Sequence, residues 1–236
     1  MFFSLLFLAL VFAGCGNKAE EYIEQGNAKS DLKNYKGAIA DYTKAIELDA
    51  KNAEAYNKRG LAKSSLHDDT GAIADFNKAL GIDPEFAGAY YGRGIAKRDL
   101  KDYKGAIDDF SKAVEIDPRH KGVYNDRGIT KWILRNDTGA IADYTKAVGI
   151  DPKNAEAYNN RGVIKWGRQD YTGAIADYTK AIENDPKFAG AYYNRGLVRM
   201  KLGENESACQ DFKKSAELGN KKAEEAIMMS CQEKPI

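Results

Sequence analysis

The sequence predicts an all-α fold, an α-solenoid of six 34-residue helical hairpins closed by a C-terminal capping helix. Three observations carry this expectation. Gly26, Gly60, Gly94, Gly128, Gly162 and Gly196 stand 34 residues apart with no break in register. Around each glycine the residue types recur in order: Tyr90 four residues before Gly94, then Ala106, Phe110 and Ala113 behind it. Asp-Pro pairs, at Pro84, Pro118, Pro152 and Pro186, punctuate the period. A fixed period of this size marks a stack of one supersecondary unit, which buries its core only against its neighbours.

Residues 1–14, from Met1 to Gly14, carry no charge. The run is too short to span a bilayer, which takes about 20 apolar residues. A short apolar run ending in small residues reads as a secretory signal. Phe12-Ala13-Gly14-Cys15 resembles the bacterial lipobox, in which the cysteine is lipidated and becomes the mature N-terminus. The resemblance implies a lipid anchor on Cys15, a short tether over 15–18, and an exported lipoprotein of the bacterial envelope, facing the periplasm or the cell surface. Ordinary secretion with an incidental cysteine, and a cytosolic protein, are the other readings.

Six units then occupy 19–222, as 19–52, 53–86, 87–120, 121–154, 155–188 and 189–222. In each first half, Tyr90, Gly94 and Lys97 and their counterparts fall at i, i+4 and i+7, one face of a helix. In each second half, Ala106, Phe110 and Ala113 do the same. A glycine facing an alanine lets two helices approach closely, and the ring fills the groove beside them. Segments such as Lys101-Asp102-Tyr103-Lys104-Gly105 form the turn inside the hairpin. Asp-Pro ends the second helix. Residues 221–231 carry Ala223, Ala226 and Ile227 at helical spacing, as a terminal cap requires.

This pattern, over 19–222, resembles the tetratricopeptide repeat. The resemblance implies a right-handed superhelix whose first helices line a concave groove for a peptide or a partner helix. One departure is informative. The family has an apolar residue before the glycine; here stand Gln25, Arg59, Arg93, Arg127, Arg161 and Arg195. A second cation follows three residues after the glycine, from Lys29 to Arg199. Each second helix offers an acid: Asp41, Asp75, Asp109, Asp143, Asp177 and Asp211. The matched period predicts a ladder of Arg–Asp pairs at the helix seam, since a cation is tolerated there when paired. A basic groove for a polyanion is the alternative.

Composition narrows the partners. With 36 basic and 35 acidic residues the net charge is +1, which argues against an obligate nucleic-acid partner. The two histidines, His67 and His120, fall at turns of different repeats, and neither is near a cysteine at metal-ligand spacing. Asp68-Asp69 and Asn136-Asp137 read as helix caps, not as a calcium loop. The carboxylates are periodic, so they point to structure and not to a unique acid–base pair. No catalytic constellation emerges, and no cofactor or metal is expected. Cys209 and Cys231 lie ten and twelve residues from Gly219, so a fold-back there brings them level. Either a disulfide or two half-buried thiols fits that spacing.

Positions that differ between repeats are where a partner is to be sought. Asn57, Tyr91, Asn125, Asn159 and Tyr193 occupy one such position on the first helices, and Trp132 and Trp166 stand farther along. Asparagine pairs with peptide backbone and aromatic rings anchor interfaces. The two tryptophans fit inter-repeat packing equally well. The expected function is a non-catalytic adaptor holding a protein or peptide at the envelope; a surface protein contacting host molecules is the alternative. Oligomeric state is left open.

Overall fold

The computed structural model describes residues 18–231, in which every regular element is an α-helix. Two compact units divide after Val123. The first holds the hairpins α1 (18–31) with α2 (Tyr35–Leu48), α3 (Ala53–Ser64) with α4 (Asp69–Ile82), and α5 (Ala87–Asp99) with α6 (Tyr103–Ile116). The second holds α7 (Val123–Ile133) with α8 (Asp137–Ile150), α9 (Ala155–Gly167) with α10 (Tyr171–Asn184), and α11 (Ala189–Lys201) with α12 (Asn205–Glu217). Helix α13 (Lys221–Ser230) packs on α12 as the expected cap. The signal segment 1–14 and Cys15 lie outside the described residues, as does most of the 15–18 tether.

Local chemistry closes each hairpin. Lys101 takes a left-handed φ of 66°, and its N–H and that of Asp102 donate back to Arg98 and Lys97 carbonyls, both at 2.8 Å. This is a Schellman stop, which satisfies carbonyls that the helix end leaves open. Asp102 then turns its carboxylate onto the Gly105 N–H at 3.0 Å and starts α6. The left-handed residue recurs every 34 positions as Lys33, His67, Lys101, Arg135 and Gln169, with Gly203 in the last hairpin. Asp68 and Asn136 cap α4 and α8 in the same way. Between hairpins, Asp83, Asp117, Asp151 and Asp185 accept from the N–H two residues on, so each proline sits inside an Asx turn.

The core explains the periodic glycines. A Cβ on Gly94 would stand 2.6 Å from the Phe110 ring, and one on Gly128 would stand 2.8 Å from Tyr144. The ring of each second helix therefore packs directly on backbone that only glycine leaves bare. Ala106, Phe110 and Ala113 are fully buried in one hairpin, and Ala140, Tyr144 and Ala147 in another. One departure from the register appears. Helix α7 begins at Val123, two residues later than the period places it. His120 occupies the position from which Asn52 and Asn154 cap α3 and α9.

Candidate functional site

The charged seam is built as the matched periods predict. Arg127 donates from Nε to Asp143 Oδ2 at 2.9 Å and from Nη2 to Oδ1 at 2.7 Å, a bidentate fork. Lys131 reaches Oδ2 at 2.7 Å. The same fork joins Arg59–Asp75, Arg93–Asp109, Arg161–Asp177 and Arg195–Asp211. In the first hairpin, where Gln25 replaces the arginine, Lys29 pairs with Asp41 alone. The bond to Asp75 raises the Arg59 pKa above its usual value, and the bond to Asp177 does the same for Arg161. These guanidinium groups are fixed cations already committed to structure, which weighs against an open basic groove.

Two parts of this seam escaped the sequence reading. In four of these forks the remaining Nη1 reaches back one hairpin: Arg59 to Thr43 at 3.2 Å, Arg93 to Asn77 at 2.6 Å, Arg161 to Thr145 at 3.1 Å and Arg195 to Thr179 at 3.0 Å. The threonine hydroxyl gives its own proton to a carbonyl in its helix, as Thr43 does to Ile39, leaving a lone pair for the arginine. Each guanidinium also lies over the tyrosine three residues earlier, as Arg161 does over Tyr158 at 5.5 Å. The signal was present: a Thr or Asn stands 16 residues before each of these arginines.

The first-helix faces differ from this uniform seam. Asn57, Asn125 and Asn159 are 6, 7 and 9% exposed, more enclosed than groove-lining residues were expected to be. Asn159 Oδ1 accepts from Asn194 Nδ2 at 3.0 Å, whereas Asn57 Oδ1 and Asn125 Oδ1 are buried without a hydrogen-bond partner. Tyr91 packs against Phe110 and His120, and Tyr193 against Phe212. Trp132 is 41% exposed at the end of α7, beside an open recess it shares with Ile133 and Arg135. Trp166 is half-buried against the Ala174, Tyr178 and Val198 cluster, so for this residue packing accounts for much of the ring.

Buried tyrosine hydroxyls add a further feature. Tyr42 donates to Asn27 Oδ1 at 2.9 Å. Tyr144 and Tyr178 hold the same place in their hairpins, but their hydroxyls have no partner. The position of Asn27 is filled there by Ile129 and Val163. Burial pushes both phenols above their ordinary pKa, so each hydroxyl keeps its proton. At the C-terminus, Cys209 on α12 and Cys231 just after α13 form a disulfide across 22 residues. Among the described residues no His, Cys, Asp and Glu cluster could hold a metal ion, and no helix is long and apolar enough to cross a membrane.

Helical hairpins on one 34-residue period, welded by a repeated seam, define a class: the helical-repeat scaffold. Models described as TPR repeat match residues 26–66, 136–167 and 168–203. Models described as tetratricopeptide repeat match 53–86, 87–120 and 189–221. Together they cover well over half of the chain, which belongs to the tetratricopeptide repeat family. Among solved structures it is similar to YrrB, described as a TPR protein with an unusual peptide-binding site, at 27% identity and a TM-score of 0.66, over 78% of this chain and 96% of that one. It is also similar to MamA, at 28% identity and a TM-score of 0.64, over 70% of this chain and 96% of that one. The pilF protein of Pseudomonas aeruginosa shares the fold at a TM-score of 0.82 and 16% identity, over 92% of this chain and 99% of that one. No curated protein matches the chain.

Proposed function

We propose that this chain is a non-catalytic scaffold that holds a protein or peptide partner on the first-helix faces of its hairpins, tethered to a bacterial envelope membrane through Cys15. Membership of a family of interaction scaffolds supports the first part, as does the likeness to a protein described as having a peptide-binding site. One observation carries it: the Asn57 and Asn125 side-chain oxygens are buried acceptors with no donor. A buried acceptor left unmade costs about 1–3 kcal/mol; a turn of either side chain toward the surface would let a peptide N–H remove that cost on binding. The lipobox-like Phe12-Ala13-Gly14-Cys15 supports the tether.

The test separates binding from folding. An asparagine kept for structure loses stability on truncation; one kept for a ligand does not. Asn57→Ala with Asn125→Ala should leave the melting temperature unchanged or raise it. The same variant should lose the partner that the wild-type chain captures from detergent-solubilised envelopes. Retained capture would sink the binding reading. Cys15→Ser should move the chain from the membrane fraction to the soluble fraction, and an unchanged distribution would sink the tether.

A further inference from the structure

The turns inside the three hairpins of the second unit share a composition that the fold does not require. They read Trp132-Ile133-Leu134-Arg135, Trp166-Gly167-Arg168-Gln169 and Met200-Lys201-Leu202-Gly203. Successive hairpins place these turns at one position of the repeat, so they follow one another along one edge of the unit. Trp132, Ile133, Leu134, Met200 and Leu202 are each between 40 and 45% exposed. None of the twelve residues is acidic. Arg135, Arg168 and Lys201 are exposed and have no ion-pair partner. Of the acids that come next, Asp170 caps α10 through the Gly173 N–H at 2.9 Å, Glu204 lies 3.8 Å from Arg199, and Asp137 stands in the first turn of α8.

The first unit supplies an internal control. Its equivalent turns are Ser30-Asp31-Leu32-Lys33, Ser64-Ser65-Leu66-His67 and Arg98-Asp99-Leu100-Lys101. They use the same left-handed residue and the same stop, yet they carry three serines, two aspartates and no tryptophan. Backbone geometry therefore does not account for the exposed Trp132, the added aliphatic residues or the missing acids of the second unit; Trp166, half-buried against the Ala174, Tyr178 and Val198 cluster, presents only part of its ring at this edge.

We infer that this edge of the second unit, residues 132–135, 166–169 and 200–203, rests on an anionic lipid surface. Aliphatic and indole side chains at protruding turns enter the headgroup region, where an indole has one apolar and one hydrated side. Arginine and lysine beside them meet lipid phosphates, and the absence of acids removes the repulsion that such a surface would raise. The anchors of a protein interface sit in well-packed, desolvated pockets. The recess at Trp132 is open and is lined only by Ile133 and Arg135. The inference does not depend on Cys15: it concerns a second contact, made by the folded chain itself.

Trp132 and Trp166 are the two tryptophans of the chain, so their fluorescence reports on this edge without a label. The full chain is mixed with vesicles of phosphatidylcholine alone or with added phosphatidylglycerol, each with or without bromine on the acyl chains. The expected result is a blue shift and bromine quenching with the anionic vesicles, both weakened by salt. Arg135→Gln, Arg168→Gln and Lys201→Gln together should reduce the quenched fraction at least several-fold at unchanged helicity. Vesicle binding with unquenched tryptophans would overturn the inference and leave an N-terminal tether standing. Equal quenching in neutral and anionic vesicles would overturn the charge argument. Tryptophans shielded only by an added protein partner would assign the edge to that partner instead.

Discussion

Removing Asp143 tests the seam most directly. Asp143 is 3% exposed, and its carboxylate accepts from Arg127 Nε, Arg127 Nη2 and Lys131 Nζ at 2.9, 2.7 and 2.7 Å. Asp143→Ala leaves two cations facing each other with no anion between them. Breaking a buried ion pair costs about 3–5 kcal/mol. The Arg127 and Lys131 side chains retain 14 and 19% exposure, so both recover some water. The low end applies, about 3 kcal/mol. For a chain of this size that lowers the melting temperature by roughly 6–12 °C. Asp143→Asn keeps the volume and an acceptor oxygen, so it should cost less, about 2 kcal/mol. Urea unfolding followed by far-UV circular dichroism reads both. Arg127→Met combined with Asp143→Leu should lose less than the two single changes added together, because no charge is left stranded. A shift below about 1 °C for Asp143→Ala would refute the reasoning, since that is the scale of an exposed pair.

Three further outcomes follow from packing, hydroxyl satisfaction and the C-terminal bridge. Gly128→Ala should destabilise by about 1–3 kcal/mol as its Cβ meets the Tyr144 ring, whereas Gly149→Ala, with nothing within 4 Å, should stabilise by up to about 1 kcal/mol. Thermal melts of the two variants should move in opposite directions. Val163→Asn should give the Tyr178 hydroxyl the partner that Asn27 gives Tyr42, adding about 1 kcal/mol; a lower urea midpoint would reject that geometry. Reducing the Cys209–Cys231 bridge, which closes a 22-residue separation, should release about 3 kcal/mol of constraint at the C-terminal cap. Amide exchange should then rise in α12 and α13 first, and uniform exchange across the chain would count against a local clamp.

The elements that repeat were legible in the sequence because each position is sampled six times. A glycine opposite an aromatic ring at one site is a coincidence; at six sites it is a steric requirement. The Arg–Asp seam was readable for the same reason, since acid and base recur at one period. What escaped was whatever depends on a neighbour one hairpin away. The reach of Arg59 to Thr43 needs the distance between two hairpins, which no single repeat contains. The burial of Asn57 and Asn125 was missed because a polar side chain on a variable position reads as exposed. Trp132 and Trp166 look alike in sequence. They differ in the structure because α9 is followed by Val198 and Tyr178 packing at Trp166, while the α7 end leaves Trp132 open.

The backward bond from these arginines bears on how such a chain can change length. Arg195 spans to Thr179 in the preceding hairpin. Excising 155–188 would bring Thr145 into that place, and the residue met would be the same. Loss of that whole 34-residue unit thus leaves the new junction chemically intact. A deletion one residue shorter would rotate the following helix by about 100° and turn the guanidinium away from both its acceptors. The seam that stabilises the fold therefore also acts as a ruler. It lets genes for such chains lengthen or shorten by duplication and excision, in one fixed increment only.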